Sequence, residues 1–268
     1  MKPFPIRCAA FFAALVLFGC LVPRADAGEK PVLLYSRYFN APGENRYPPD
    51  GAYSELVRRL GDTFEVRSDS QPLTLRSLAG VKVVLIANPN DKAVGTNLPP
   101  PHVSAADVRA LSRFVSRGGG LIVMGNQEGH NLEVEDMNHL LVKFGLQFTN
   151  AYTDAKKLVL PADAPIIGGL RWAYYTGNQV MLTPARSAKP LAVAVNDLGQ
   201  KPEKGPRDQA GILLAVSEYG RGRVVAVTDS GWVANWALDE RGVGGVAIKG
   251  QDNWEICRRL TVWAAHLK

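Results

Sequence analysis

Residues 118–139 read GGGLIVMGNQEGHNLEVEDMNH, and how this stretch divides decides the fold. Residues 121–124 are apolar without alternation, the pattern of a strand buried on both faces. The glycine-flanked polar turn GNQEGH follows at 125–130. Beyond it Met137, Leu140, Leu141 and Phe144 recur at helical spacing. A buried strand, a sharp turn and a helix make the repeating unit of a parallel α/β sheet.

The same grammar extends upstream. Residues 104–119, SAADVRALSRFVSRGG, read as a helix with Ser104 as N-cap, Asp107 three residues on, a stripe of Val108, Leu111, Phe114 and Val115, and glycines that stop it. VKVVLIA at 81–87 and PVLLYS at 31–36 are further uniformly apolar strands, and residues 64–67 give a shorter one. A helix is expected over about 52–60, with Leu56, Val57 and Leu60 inward, and LTLRSLAG reads as a short helix ended by Gly80. Downstream of Phe148 short strands are expected at 157–160, 179–183 and 191–195, followed by the charged loop DLGQKPEKGPRDQ. GILLAVSEYGRGRVVAVTDSG is the clearest hairpin, and a helix over about 253–267 closes the chain. The expected fold is α/β: an open, mostly parallel sheet with helices on both faces and a flavodoxin-like core, plus a β-rich C-terminal part of the same domain. No flexible linker divides residues 28–268.

The first 27 residues place Lys2 and Arg7 before an apolar run and end in Ala25-Asp26-Ala27, the pattern of a secretory signal peptide cleaved after Ala27. Lipidation at Cys20 is the alternative, but Phe18 is bulky where such sites carry a small residue. The apolar run is shorter than the 20 or so residues of a membrane span. The expected destination is therefore the periplasm or the exterior, with no membrane attachment after cleavage. Of 31 basic and 25 acidic residues, loss of Lys2, Arg7, Arg24 and Asp26 leaves 28 against 24, a mature charge of about +4. The basic residues are dispersed and no aromatic stripe interleaves them, which argues against nucleic acid as a partner. Cys257 is then the single mature cysteine, in an amphipathic helix with Ile256, Leu260 and Trp263 on one face, and reads as structural.

Ligands of open parallel sheets bind beyond the carboxyl ends of the strands. Those exits carry Ser36 and Arg37, then Asn88, Asn90 and Asp91, then Asn126, Gln127 and Glu128, and finally Asp229 and Ser230. The loop RYFNAPGENRYPPDG adds Arg37, Tyr38, Asn40, Glu44, Arg46, Tyr47 and Asp50, a mixture of rings and hydrogen-bonding groups suited to a sugar or to a loop packing on itself. Trp232, Asn235 and Trp236 would supply either a stacking wall or core. His130, Glu133, Glu135, Asp136 and His139 include an i, i+4 pair, but a solvated helix face explains that spacing and no metal site is assigned. The sequence identifies no cofactor.

The β/α order, the GGGLIVMG strand and the YGRGRVVAVTDSG hairpin resemble the class I glutamine amidotransferase-like superfamily, in particular its ThuA-like (trehalose-utilisation) branch and related domains of gliding-motility and intraflagellar-transport proteins. DAPIIGGLRW resembles a segment of the ThuA-like group, with Ala164 where that group has histidine. The superfamily's active members carry Gly-x-Cys-x-Gly-His at the elbow; here it is Gly125-Asn126-Gln127-Glu128-Gly129-His130. An amide at the nucleophile position cannot form a thioester, so the resemblance implies a fold without glutamine hydrolysis. Two readings of the rim stay open. Arg37, Asn88, Asn126, Gln127, Glu128, His130, Asp229 and Ser230 would bind a small molecule, carbohydrate by analogy with the ThuA-like group. Alternatively Glu128, His130 and Asp229 would be catalytic residues of a carbohydrate-active enzyme with paired carboxylates. A scaffold domain with an envelope protein partner is a third expectation, implied by the gliding-motility relatives.

Overall fold

A computed structural model describes residues 29–90, 92–126, 134–154, 156–184, 187–194, 210–238 and 249–268. Five strands form the parallel part of the sheet: β1 (Val32–Ser36), β2 (Glu65–Asp69), β3 (Val81–Ala87), β4 (Gly120–Met124) and, from the end of the chain, β11 (Gly222–Val227). They lie in the order β2-β1-β3-β4-β11. Every residue of β1 and β4 is buried, which is why these strands lack polar alternation. Strand β2 stands at the edge and is almost wholly exposed; its Glu65–Arg67 ion pair gives the edge the polar surface that discourages further pairing.

The sheet continues antiparallel from β11 through β10 (Gly211–Tyr219), which pairs with both β8 (Val180–Leu182) and β9 (Lys189–Ala194), while β8 pairs with β5 (Leu146–Phe148). Strands β6 (Lys156–Val159) and β7 (Arg171–Tyr174) form a separate two-stranded ribbon. The hairpin loop between β10 and β11 is Gly220-Arg221, and Gly220 takes φ +61°. Helices α2 (Ala105–Ser116) and α3 (Val134–Leu141) cover one face of the sheet, with Leu111, Phe114, Met137 and Leu140 packed on Val84 and Val123. On the opposite face α1 (Ser54–Leu60), α4 (Asn235–Leu238) and α5 (Asn253–Ala264) bury Leu56, Leu238, Ile256 and Leu260 over Leu85 and Val225. The architecture is the expected α/β one, with helices on both faces and a β-rich C-terminal part.

Helix α2 starts where its capping residues dictate. Ser104 Oγ accepts from Asp107 N–H, and Asp107 accepts in return from Ser104 N–H at 2.9 Å. Ser104→Ala removes one half of this reciprocal cap and is expected to lower stability by about 1 kcal/mol in urea melts without changing the slope.

Two expectations are corrected, and two strands are added. LTLRSLAG is a run of turns, not a helix: Thr74 and Ser77 exchange side-chain bonds with each other's backbone N–H, and Gly80 then turns the chain at φ +77°. Side chains that offer the backbone such partners compete with a helix too short to nucleate. The closing helix stops at Ala264, three residues earlier than read, and β5 and β7 are strands that the sequence did not announce. Cys257 is buried, and burial pushes its thiol up to about 12, so it is a core residue.

Candidate functional site

The carboxyl ends of β1, β3, β4 and β11 meet, as the parallel order requires. Asn88, just after β3, adopts φ +50°, a left-handed conformation that asparagine tolerates better than most residues. This turns its N–H toward both Met124 O (2.8 Å) and Ser230 Oγ (3.0 Å). Ser230 is fully buried, and its hydroxyl also lies 2.9 Å from Met124 O and 2.8 Å from Gly125 O. Ser230 therefore fastens the ends of β3, β4 and β11 together. Tyr53, buried on α1's approach, donates its hydroxyl to Ser230 O.

Asp229 is 1% exposed. Its Oδ1 accepts from Gly231 N–H at 2.6 Å and its Oδ2 from Tyr175 N–H at 2.8 Å, with further backbone donors at Thr176 and Trp232. Burial raises the Asp229 carboxyl to about 7, partly opposed by these N–H groups. The aspartate joins the loop after β7 to the turn after β11. Half-buried Tyr175 and Trp236 meet edge to face beside it, centroids 5.8 Å apart. A Cβ on Gly231 would stand 3.1 Å from both Asp229 Oδ1 and the Trp236 ring, so the indole closes directly over this turn. Trp232, which the sequence left open between wall and core, is core: it is 1% exposed and packs edge to face on Trp172.

The long loop after β1 is pinned to the exit of β3. Asn40 Nδ2 donates to Ala87 O (3.0 Å) and Asn88 O (2.7 Å), and Asn90 Oδ1 accepts from Ala41 N–H. Glu44, 7% exposed, accepts from Arg46 N–H, Nε and Nη2 and from Asn90 Nδ2. Burial opposes ionisation of Glu44, but the Arg46 bonds outweigh it and hold the carboxyl below its usual range. Tyr35 donates to Tyr47 O, and burial raises both phenols. Between Arg37, Asn40, Glu44, Tyr47 and Asn88 lies a cavity of about 10 Å³, enough for one water.

Of the residues singled out from sequence, Arg37, Asn88, Asn126, Asp229 and Ser230 all sit at this rim. Asn126 is buried, and its carbonyl accepts from Asn178 Nδ2 at 2.8 Å. Gln127, Glu128 and His130, with Asp91 and Glu133, lie outside the described residues, as does the Glu135 side chain. His139 is exposed, and Asp136 instead ties the approach to α2, accepting from Val103 N–H and lying 3.1 Å from His102 Nδ1. Among the described residues no group of three or more His, Cys, Asp or Glu is placed to hold a metal, and no helix is long and apolar enough to cross a membrane. Sequence reasoning missed Tyr175 and Asn178. Each follows a short strand in the least patterned part of the chain and reaches the rim only through tertiary placement.

No protein-family profile matches the chain. Over 112 residues, 42% of the chain, it is 26% identical to the intraflagellar transport protein 52 homolog of Mus musculus. That alignment takes in 24% of the relative, so the chain spans about a quarter of the length of the curated protein it matches. Among solved structures it is similar to the mmIFT52 N-terminal domain, with a TM-score of 0.61 and 17% identity over 87% of this chain and 97% of that one. A ThuA-like protein from Bacteroides uniformis gives a TM-score of 0.54 at 11% identity, over 90% and 94% of the two chains. At these identities the likeness is one of fold.

Proposed function

We propose that this is an exported, non-catalytic binding module on a glutamine amidotransferase-like fold whose nucleophile position holds Gln127, and that its strand-end rim takes a carbohydrate. The observation that supports this reading is the half-buried Tyr175–Trp236 pair standing over the Asp229 turn. Two rings held at a fixed angle by a rigid turn give a sugar a face to stack on, at little cost in ordering. The choice of a sugar rests on the sequence resemblance to the trehalose-utilisation group, and the ThuA-like neighbour shares the fold. The rival, a glycoside-processing enzyme with Glu128, His130 and Asp229, requires a carboxylate that reaches substrate. Asp229 is buried and spends both oxygens on backbone N–H groups.

Titrating the mature protein with neutral mono- and disaccharides, read by tryptophan fluorescence and calorimetry, tests the proposal. A binding sugar shifts the emission, and Trp236→Ala weakens binding about 3- to 10-fold, the worth of one aromatic contact. Turnover of a glycoside would favour the enzyme. No response to any sugar, with co-purification of an envelope protein, would leave the scaffold reading.

A further inference from the structure

On the other face of the sheet from α1 and α5, an open groove of about 890 Å³ runs between α2 and the Pro72–Arg76 turns. Apolar surface predominates in its lining, from Leu75, 38% exposed at the lip, with Pro72, Ala110 and Tyr219 over buried Leu73, interrupted by the hydroxyls of Thr74, Ser112 and Ser116. A second hollow of about 410 Å³ shares Leu75 and carries the trough on past Leu78 and Phe114. The rails are cationic. Arg109, Arg113 and Arg117 are all exposed along α2 and its cap, and exposed Arg76 faces them from the turns. Among the described residues none of these four guanidinium groups forms an ion pair. Elsewhere this protein neutralises its helical arginines: Arg58 and Arg59 share Glu55, and Arg258 and Arg259 share Glu255. The carboxylate that lines the groove, Asp107, is buried and held by Ser104.

We propose that this groove docks an acidic amphipathic helix of a partner protein. The spacing supplies the complementarity. Arg109, Arg113 and Arg117 follow one another at four-residue intervals, about 6 Å apart along the helix axis. A partner helix with Glu or Asp at i, i+4 and i+8 presents carboxylates at the same repeat, and the neighbouring apolar positions fall into the trough. A compact anion such as phosphate would engage one or two of the arginines and leave the apolar lining wet. A membrane surface would meet the arginine rail but leave the recessed trough between α2 and the turns unfilled. The proposal does not depend on the sugar reading of the rim, which lies at the strand ends.

The probe is a fluorescein-labelled 15-residue alanine-based helix with Glu at three successive i, i+4 positions and Leu beside them, measured by anisotropy against the whole mature protein. Binding is expected to weaken steeply with added salt, to fall at least tenfold with Arg113→Glu, and to fall severalfold with Leu75→Ser. Both variants change exposed side chains, so their thermal midpoints should match the parent and confirm folding. The Glu→Lys peptide should not bind. The proposal is overturned if the Glu peptide fails to bind, or binds both variants as it binds the parent. It is equally overturned if a Leu→Ser peptide binds as tightly, leaving charge alone. Preferential binding of phosphatidylglycerol vesicles or of pyrophosphate, abolished by Arg113→Glu, would reassign the surface and defeat it.

Discussion

Asp229→Ala is expected to cost about 3 kcal/mol at pH 5, a fall in Tm of roughly 6–12 °C for a protein of this size. The residue is 1% exposed, and its two oxygens are the acceptors for Tyr175 and Gly231 N–H at 2.8 and 2.6 Å, with Thr176 and Trp232 also donating. Alanine removes the acceptor and leaves those donors buried, at about 1–3 kcal/mol for each that water fails to reach. The loop after β7 and the turn after β11 then lose their shared anchor, and Tyr175 loses its fixed angle to Trp236. If the rim takes a sugar as proposed, its binding should therefore weaken in Asp229→Ala even where the protein remains folded.

The same carboxyl gives the protein a pH signature. Its folded value of about 7 exceeds the unfolded value of about 3.9, so the native state holds the proton more tightly. The contribution of Asp229 is then present in full below about pH 4, is lost progressively as pH rises from about 4 to 7, and levels off above, the fall being at most about 4 kcal/mol. Glu55 and Glu255 act in the opposite sense and in a lower window. Side-chain bonds from Arg58 and from Arg258 lead in holding each carboxyl at about 2, so their contribution is present above about 4.3 and lost as pH falls through 2. Both are surface pairs, and screening keeps their share small. Urea midpoints across pH 3–9 should peak near pH 4–5, and Asp229→Asn, which does not titrate, should flatten the descending limb. A limb of unchanged slope in Asp229→Asn would remove Asp229 as its cause.

What was readable from sequence follows from how local each signal is. β1, β3 and β4 announce themselves because strands buried on both faces must be apolar throughout. The Ser104–Asp107 cap and the Gly220-Arg221 hairpin are decided within a few residues, and both are present. Strands β5 and β7 are short and owe their conformation to neighbours distant in sequence, so pattern alone passes over them. At the rim the residue types were legible but their roles were not. Asp229 and Ser230 looked like any polar exit from an apolar strand; burial and the partners Tyr175, Asn88 and Met124 make them clamps. Nothing local separates Trp232 from Trp236, yet one is core and the other half-buried at the site.

Gly177→Ala is expected to be the most disruptive single-methyl change at the rim, at about 3 kcal/mol, the upper end for overpacking. An ideal Cβ there would lie 1.9 Å from the Thr228 carbonyl oxygen and 2.5 Å from the Tyr174 hydroxyl. Neither side can yield. Gly177 exchanges both backbone hydrogen bonds with Thr153, N–H to O at 3.1 Å and O to N–H at 2.9 Å, an isolated bridge that holds the β7–β8 connection from behind. Thr228 N–H donates to Leu213 O at 3.1 Å, and its hydroxyl is engaged by the same carbonyl and by Tyr174. Because Asp229 follows Thr228, backbone displaced to admit the methyl would carry Asp229 away from Tyr175 N–H. Gly177→Ala should therefore lose stability and flatten the descending pH limb together, whereas Gly80→Ala, at a site with nothing near its Cβ, should lose stability through φ strain alone and keep the limb. Parallel melts of the two variants at pH 5 and pH 8 distinguish these outcomes, and a Gly177→Ala protein with native stability and an intact limb would show that the contact with Thr228 is not rigid.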